Sequence, residues 1–361
     1  MTFRAAAQAL DASLARTHPL TQFGFDALVA GAARPRPGAP AFVDRHGDST
    51  DDVSYADLYQ RVGAFLARLR GFDFARGEKI LICCPPGAQA FVALTAAVAA
   101  GLDPVLAPLP LPMRRAAVAN AARAQRVCAL FAPARFCGVD FEEPLLSIAA
   151  ETPSVRLIGA LSGTLDGAGD FSPAMLEAPL SPRARLADDW SADERALVGA
   201  LDDVGAIDFS SQGALLAGAL DLVRLTRDAG DAPILSLAAP SSLGALIAGP
   251  LAALLAGAPL HYLSPFTAER FLETLDALGP TRLVIPAVVL PDLARAGLLT
   301  NGALVSVCAL YPGAATAPGI DAADACPIVE LRLDGGAVIL RDAGASHAPA
   351  HAEPAHAALD Y

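Results

Sequence analysis

Residues 79–109 read KILICCPPGAQAFVALTAAVAAGLDPVLAPL. The run from Lys79 to Cys84 is of strand length, apolar after its first residue. Pro85-Pro86-Gly87 turns the chain. Ala88 to Ala100 is built of helix formers and stops at Gly101, and Val105-Leu106-Ala107 opens a second apolar run. Strand, turn, helix and strand make one βαβ unit, whose strands lie parallel in a sheet. Neither strand alternates apolar with polar residues, as expected of a parallel sheet covered on both faces.

The same alternation extends in both directions. Upstream, Ala41–Asp44 reads as a strand, His46-Gly47-Asp48 as a turn and Val53 as the start of the return. Ser54 caps the next helix with Asp57 in a capping-box position, and Leu58, Val62, Phe65, Leu66 and Leu69 share one face. Downstream come a helix from Met113 to Gln125 and a strand from Val127 to Phe131. Residues 162–200 are a looser connection rich in Gly, Pro, Ser and Asp. Strands then recur at Ala206–Phe209, Ile234–Leu237, Leu260–Leu263, Arg282–Ile285 and Leu304–Val307. Helices fill the gaps at Ala214–Arg227, Leu243–Leu255, Ala268–Leu278 and Val288–Ala296. Ile328–Leu333, Asp334-Gly335-Gly336 and Ala337–Arg341 read as a hairpin.

The expected fold is therefore α/β, with two doubly wound, mainly parallel subdomains and a small β-hairpin or barrel remnant. The expected division is an N-terminal segment 1–20, a first subdomain 21–161, the connection 162–200, a second subdomain 201–310, the hairpin region 311–342 and a disordered Ala/Pro/His-rich tail 343–361.

Composition narrows the function. Of 361 residues, 54% are apolar and 18% charged, so there is ample surface to bury and disorder over the whole length is excluded. A net charge of −12 argues against nucleic acid as a partner, since phosphates need a basic face. Lys79 is the single lysine, which removes any mechanism needing two. None of the six cysteines forms a C-x2-C pair, which points to reduced, buried thiols and a cytoplasmic protein. The first twenty residues have no apolar segment of signal-peptide type. Two long uncharged stretches, 80–102 and 232–268, are interrupted by prolines and read as strand–helix–strand, not as membrane spans. His347, His351 and His356 lie in the tail and make no expected metal site.

Five segments carry a family resemblance. The order GAPAFVD (38–44), VSYADLYQRVGAFLARL (53–69) and RGEKILICCPPGAQAFVALTAAVAAGLDPVLAPLP (76–110) resembles the opening of adenylate-forming enzymes, which include acyl-CoA synthetases. The resemblance continues through DAPILSLAAPSSLGALIAGPLAALLAGAPLHYL (231–263) and FLETLDALGPTRLVIPAVVLPDL (271–293), covering about 20–342. It implies ATP, magnesium and CoA as cofactors, joining of a carboxylate to AMP, and a C-terminal lid domain with a catalytic lysine.

The family's chemical groups are not matched here. Its phosphate loop would follow strand 205–209, where Ser210-Ser211-Gln212-Gly213 runs at once into a helix, so that Ser210, Ser211 and Gly213 are at most a vestigial phosphate site. Ser241 stands where the family has a histidine, within Pro240-Ser241-Ser242-Leu243-Gly244. Tyr311-Pro312-Gly313-Ala314-Ala315-Thr316 is the nearest match to a Tyr-Gly-x-Thr-Glu loop, and no carboxylate follows Thr316 to hold magnesium. The lid domain is expected to be absent. Each lost contact of this kind is worth about 2.7–4 kcal/mol in a transition state.

The expectation is a pseudoenzyme with no catalytic residue, no metal site and no required cofactor. It would bind a protein partner, a second copy or an acyl group. The nucleotide-side face, comprising Pro240, Ser241, Ser242, Leu243, Gly244, Tyr311, Gly313 and Thr316, would be uncovered and Leu243 at its surface. The alternatives are an acyl-adenylating ligase completed by a partner chain, and a structural subunit of a larger complex.

Overall fold

The computed structural model describes residues 19–46, 49–177, 195–202, 205–312, 325–334 and 337–342. The expected tail and most of the N-terminal segment lie outside them. The chain forms two largely parallel sheets and a two-stranded hairpin.

The strands are β1 (Pro40–His46), β2 (Ser49–Ser54), β3 (Lys79–Cys83), β4 (Asp103–Ala107), β5 (Ala129–Ala132), β6 (Arg135–Phe136), β7 (Val139–Asp140), β8 (Leu157–Ala160) and β9 (Gly169–Asp170). They continue with β10 (Leu197–Leu201), β11 (Ile207–Ser211), β12 (Ile234–Ser236), β13 (Leu260–Ser264), β14 (Thr281–Pro286), β15 (Leu304–Tyr311), β16 (Ile328–Asp334) and β17 (Ala337–Asp342). The eight-stranded sheet has the order β17-β16-β15-β14-β12-β13-β1-β2, and the seven-stranded sheet β11-β10-β4-β3-β5-β8-β9. Every pairing within them is parallel except β1–β2, β16–β17 and β10–β11.

The main helices are α1 (Phe25–Ala33), α2 (Tyr55–Leu69), α3 (Ala88–Ala99), α4 (Arg115–Gln125), α5 (Glu142–Ala150), α6 (Gln212–Leu225), α7 (Leu243–Leu246), α8 (Ala252–Ala256), α9 (Ala268–Leu278) and α10 (Leu290–Arg295). A π-helical turn, Ile247–Leu251, joins α7 to α8 where Pro250 sits inside the helix and has no N–H to give. The capping box at α2 forms as read: the Asp57 N–H donates to Ser54 Oγ at 3.1 Å, and the Ser54 N–H to Asp57 Oδ2 at 3.1 Å.

The first uncharged stretch spans β3 and α3, and the second β12–α7–α8–β13. No helix among the described residues is long and apolar enough to cross a membrane. Both sheets draw on both sides of the 162–200 connection. β1 and β2 join the larger sheet beside β13, and β10 and β11 join the smaller one beside β4. The sequence reading passed over β10. Its five residues follow a Pro/Ser/Asp-rich stretch, and its Leu197 N–H is held by Asp103 Oδ1 at 2.9 Å. The hairpin 328–342 forms as read, β16 pairing antiparallel with β17. β16 lies parallel against β15 and extends the larger sheet.

Packing follows from α3, all twelve of whose residues are buried. Its Phe91 ring lies 5.7 Å from Phe42 of β1. Close by, Phe65, Phe131 and Phe171 form a ring trio with centroids 4.6–5.3 Å apart. Gly159 of β8 makes room for them, because a Cβ there would sit 2.3 Å from the Phe131 ring and 3.0 Å from Phe171. Gly159→Ala should therefore cost about 1–3 kcal/mol through overpacking. A lower urea midpoint at unchanged slope checks it; an unchanged midpoint would remove the ring trio from that position.

Candidate functional site

The first predicted segment is a tight junction, not a loop. β11 continues through Ser210 to Ser211, and α6 starts at Gln212. Ser211 Oγ caps the helix by accepting from the Ala214 N–H at 3.1 Å. Gln212 is 3% exposed, its Oε1 accepting from the Phe25 N–H at 3.0 Å and its amide donating to the Ala196 carbonyl at 3.1 Å. Ser210 and Ser211 are 3% and 4% exposed, and Gly213 is buried. A phosphate cradle has to present several free backbone N–H groups to its ligand. Here one is used by a side-chain cap, and the residues around it are packed.

The second segment leaves the carboxyl end of β12. Pro240 is buried, Ser241 half-buried and Ser242 exposed. Ser242 Oγ caps α7 through the Ala245 N–H at 3.2 Å. Leu243 is 1% exposed and belongs to the main core, so it is not the surface residue expected from the sequence. Gly244 is buried too, and a Cβ on it would lie 3.0 Å from Leu331 and 3.8 Å from Leu310. The correction has a simple cause. α7 touches β10 of one sheet and β16 of the other, so its first turn is wedged between them.

Tyr311 ends β15 and is 7% exposed. Its hydroxyl donates to Glu330 Oε1 at 3.4 Å, and Arg332 donates to Glu330 Oε2 at 3.3 Å. The Arg332 guanidinium lies 4.3 Å from the Tyr311 ring centroid. Burial, aided by the Glu330 carboxylate, pushes the Tyr311 phenol up to about 12. The carboxylate beside Tyr311 is thus Glu330, brought by the neighbouring strand. It is already committed to Tyr311 and Arg332. Gly313 and Thr316 lie outside the described residues. Among the described residues no cluster of three or more His, Cys, Asp or Glu is placed to hold a metal ion.

The described residues of the predicted segments are thus packed structure, Leu243 lying in one core cluster and Tyr311 in another. A model of the family described as AMP-binding enzyme matches residues 29–194. The chain resembles the N-terminal domain of adenylate-forming enzymes. The family match ends before Ser210. Over 272 residues the chain is 29% identical to the salicyl-AMP ligase / salicyl-S-ArCP synthetase of Mycobacterium tuberculosis, covering 71% of this chain and 46% of that protein. It thus spans about half the length of that adenylate-forming relative. The apo structure of MbtA from Mycobacterium smegmatis superposes with a TM-score of 0.69 at 19% identity, over 92% of this chain and 62% of that one. ATP-bound MatB from Rhodopseudomonas palustris gives 0.65 at 17%, over 85% and 60%. These two likenesses are of fold.

A second place was missed by sequence reasoning. Asp44, Arg61 and Gln89 line a cavity of 480 Å³ that touches none of the predicted segments. The available signal was an acid, Asp44, at the end of the apolar strand Ala41–Asp44.

The burial of Leu243 yields a direct check. Leu243→Asp places an unpaired charge in the core and should cost about 3–5 kcal/mol. Urea unfolding reads it; a variant as stable as the wild type would mean that the start of α7 is open after all.

Proposed function

We propose that this chain is an acyl-CoA synthetase-like protein without adenylating activity, which works by binding. The observation that carries this reading is the β11–α6 junction. Strand passes to helix between Ser211 and Gln212 with no intervening residues, and Gln212 is tied to Phe25 and Ala196. ATP phosphates need a loop of outward N–H groups and a nearby cation. The junction has no such loop: Ser211 Oγ takes the Ala214 N–H, and the cation that reaches β11, the Lys79 ammonium, lies over the Phe209 ring at 5.4 Å. The residues present do not fit a magnesium nucleotide.

Between the two kinds of ligand, the packing favours a small molecule over a docked protein. The face expected to be open at Leu243 and Gly244 is part of the core. The second reading, an acyl-adenylating ligase completed by a partner chain, is favoured by the relative named as a salicyl-AMP ligase.

Two measurements separate them. Calorimetric titration with Mg-ATP should show no binding tighter than about millimolar, a level worth about −4.1 kcal/mol. Exchange of labelled pyrophosphate into ATP in the presence of salicylate should stay at background. Micromolar ATP affinity, or exchange above background, would favour the ligase reading and overturn this one.

A further inference from the structure

One carboxyl group bonds across the two sheets. Asp44 lies on β1 of the larger sheet, and its Oδ2 accepts the Ala88 N–H at 2.7 Å. Ala88 opens α3, the helix that follows β3 of the smaller sheet. A helix N-terminus favours an ionised carboxylate. The other surroundings of Asp44 act against the charge.

The β1–β2 register sets Asp51 directly opposite Asp44. Opposed residues of an antiparallel pair share a face, and like charges there are destabilising. On the other side, the β1–β13 register sets Tyr262 beside Asp44. Tyr262 is 1% exposed, and its hydroxyl, like Asp44 Oδ1, has no hydrogen-bond partner. Burial, then Asp44, holds the Tyr262 phenol neutral well above its usual range. Cys84, just after β3, faces Tyr262, and burial pushes its thiol up as well.

The cation that faces Asp44 is Arg61 on α2. It already holds Asp51 at 3.1 Å and Glu177 at 3.2 Å, so an ionised Asp44 would be a third carboxylate for one guanidinium. His46, on the same strand, has its pKa lowered by burial and is no counter-charge above its ordinary 6.5. Asp44 itself is 5% exposed, which leaves little water to solvate a charge.

We propose that this contact is a pH-sensitive joint between the sheets, closed by a protonated Asp44 and loosened when that carboxyl gives its proton to solvent. The joint does not depend on what the protein binds. A protonated Asp44 still offers an oxygen to the Ala88 N–H and sets no charge against Asp51. Burial raises its carboxyl from the ordinary 3.8 to about 7; the Ala88 N–H lowers it, Asp51 raises it and Arg61 lowers it. The folded value lies above the unfolded one. The stabilisation is therefore complete below the ordinary value and is lost as the pH rises through about 7.

Urea unfolding of the wild type and of Asp44→Asn, at about pH 6 and about pH 8, isolates this group, because the other titrations are shared. Asparagine keeps an oxygen for the Ala88 N–H and cannot ionise. Between those two pH values the folding constant of the wild type should fall by about tenfold more than that of the variant. The joint itself is read by hydrogen exchange over residues 86–92. There the wild type should lose protection relative to the variant across the same interval. Infrared spectra of the wild type should show a protonated-carboxyl band at about pH 6 that is gone at about pH 8 and is missing in Asp44→Asn. Parallel stability profiles of the wild type and a folded variant, or unchanged relative protection at 86–92, would each overturn the proposal. If the variant does not fold, the absence of that band in the wild type does so.

Discussion

The bond from the Ala88 N–H to Asp44 Oδ2 joins the two sheets. Asp44 belongs to β1 of the larger sheet, and Ala88 opens α3, the helix that follows β3 of the smaller one. A carboxylate at a helix N-terminus is favourable there because free N–H groups and the helix dipole both meet it. The geometry leaves no tolerance. Gly87 has a φ of 135°, and a Cβ on it would stand 2.7 Å from Asp44 Oδ2. The helix behind this contact is equally constrained. Six of its twelve residues are alanine and all are buried, so it touches β1 on one side and β3 and β4 on the other. Larger side chains at the alanines would push the sheets apart, and dense interiors do not absorb such changes.

Much of this was legible in the chain. The βαβ unit at 79–109, the capped helix after Ser54 and the later strands follow from period and punctuation alone, because each is a local property. What was not legible is how strands are shared. A parallel strand has no short-range signal naming its neighbour, so β1 could not be read as lying beside β13, more than two hundred residues away in sequence. β10 was hidden for a related reason: its five residues gain their meaning only from Asp103 and β4. The hairpin 328–342 was seen, but not that it borders the larger sheet.

At Ser210-Ser211-Gln212-Gly213 the direct passage from strand to helix was legible, because no turn residues separate the two patterns; the bridging role of Gln212 was not, because its partners Phe25 and Ala196 are not sequence neighbours of the junction. Burial of Leu243 was not legible, since an apolar residue after two serines reads the same at a surface or in a core. Glu330 beside Tyr311 was equally hidden, because the pair is formed across strands and not along one.

Each sheet has a place where its winding reverses, and the two have different fates. In the larger sheet it lies between β12 and β14, and the segment that leaves β12 there is Pro240–Gly244, closed by α7 against β10 and β16. In the smaller sheet it lies between β3 and β5, where Asp44, Gln89 and Arg61 surround open space. A closed reversal contributes apolar burial to stability. An open one leaves Asp44 Oδ1, Gln89 Oε1 and Arg61 Nε without a hydrogen-bond partner, which costs stability.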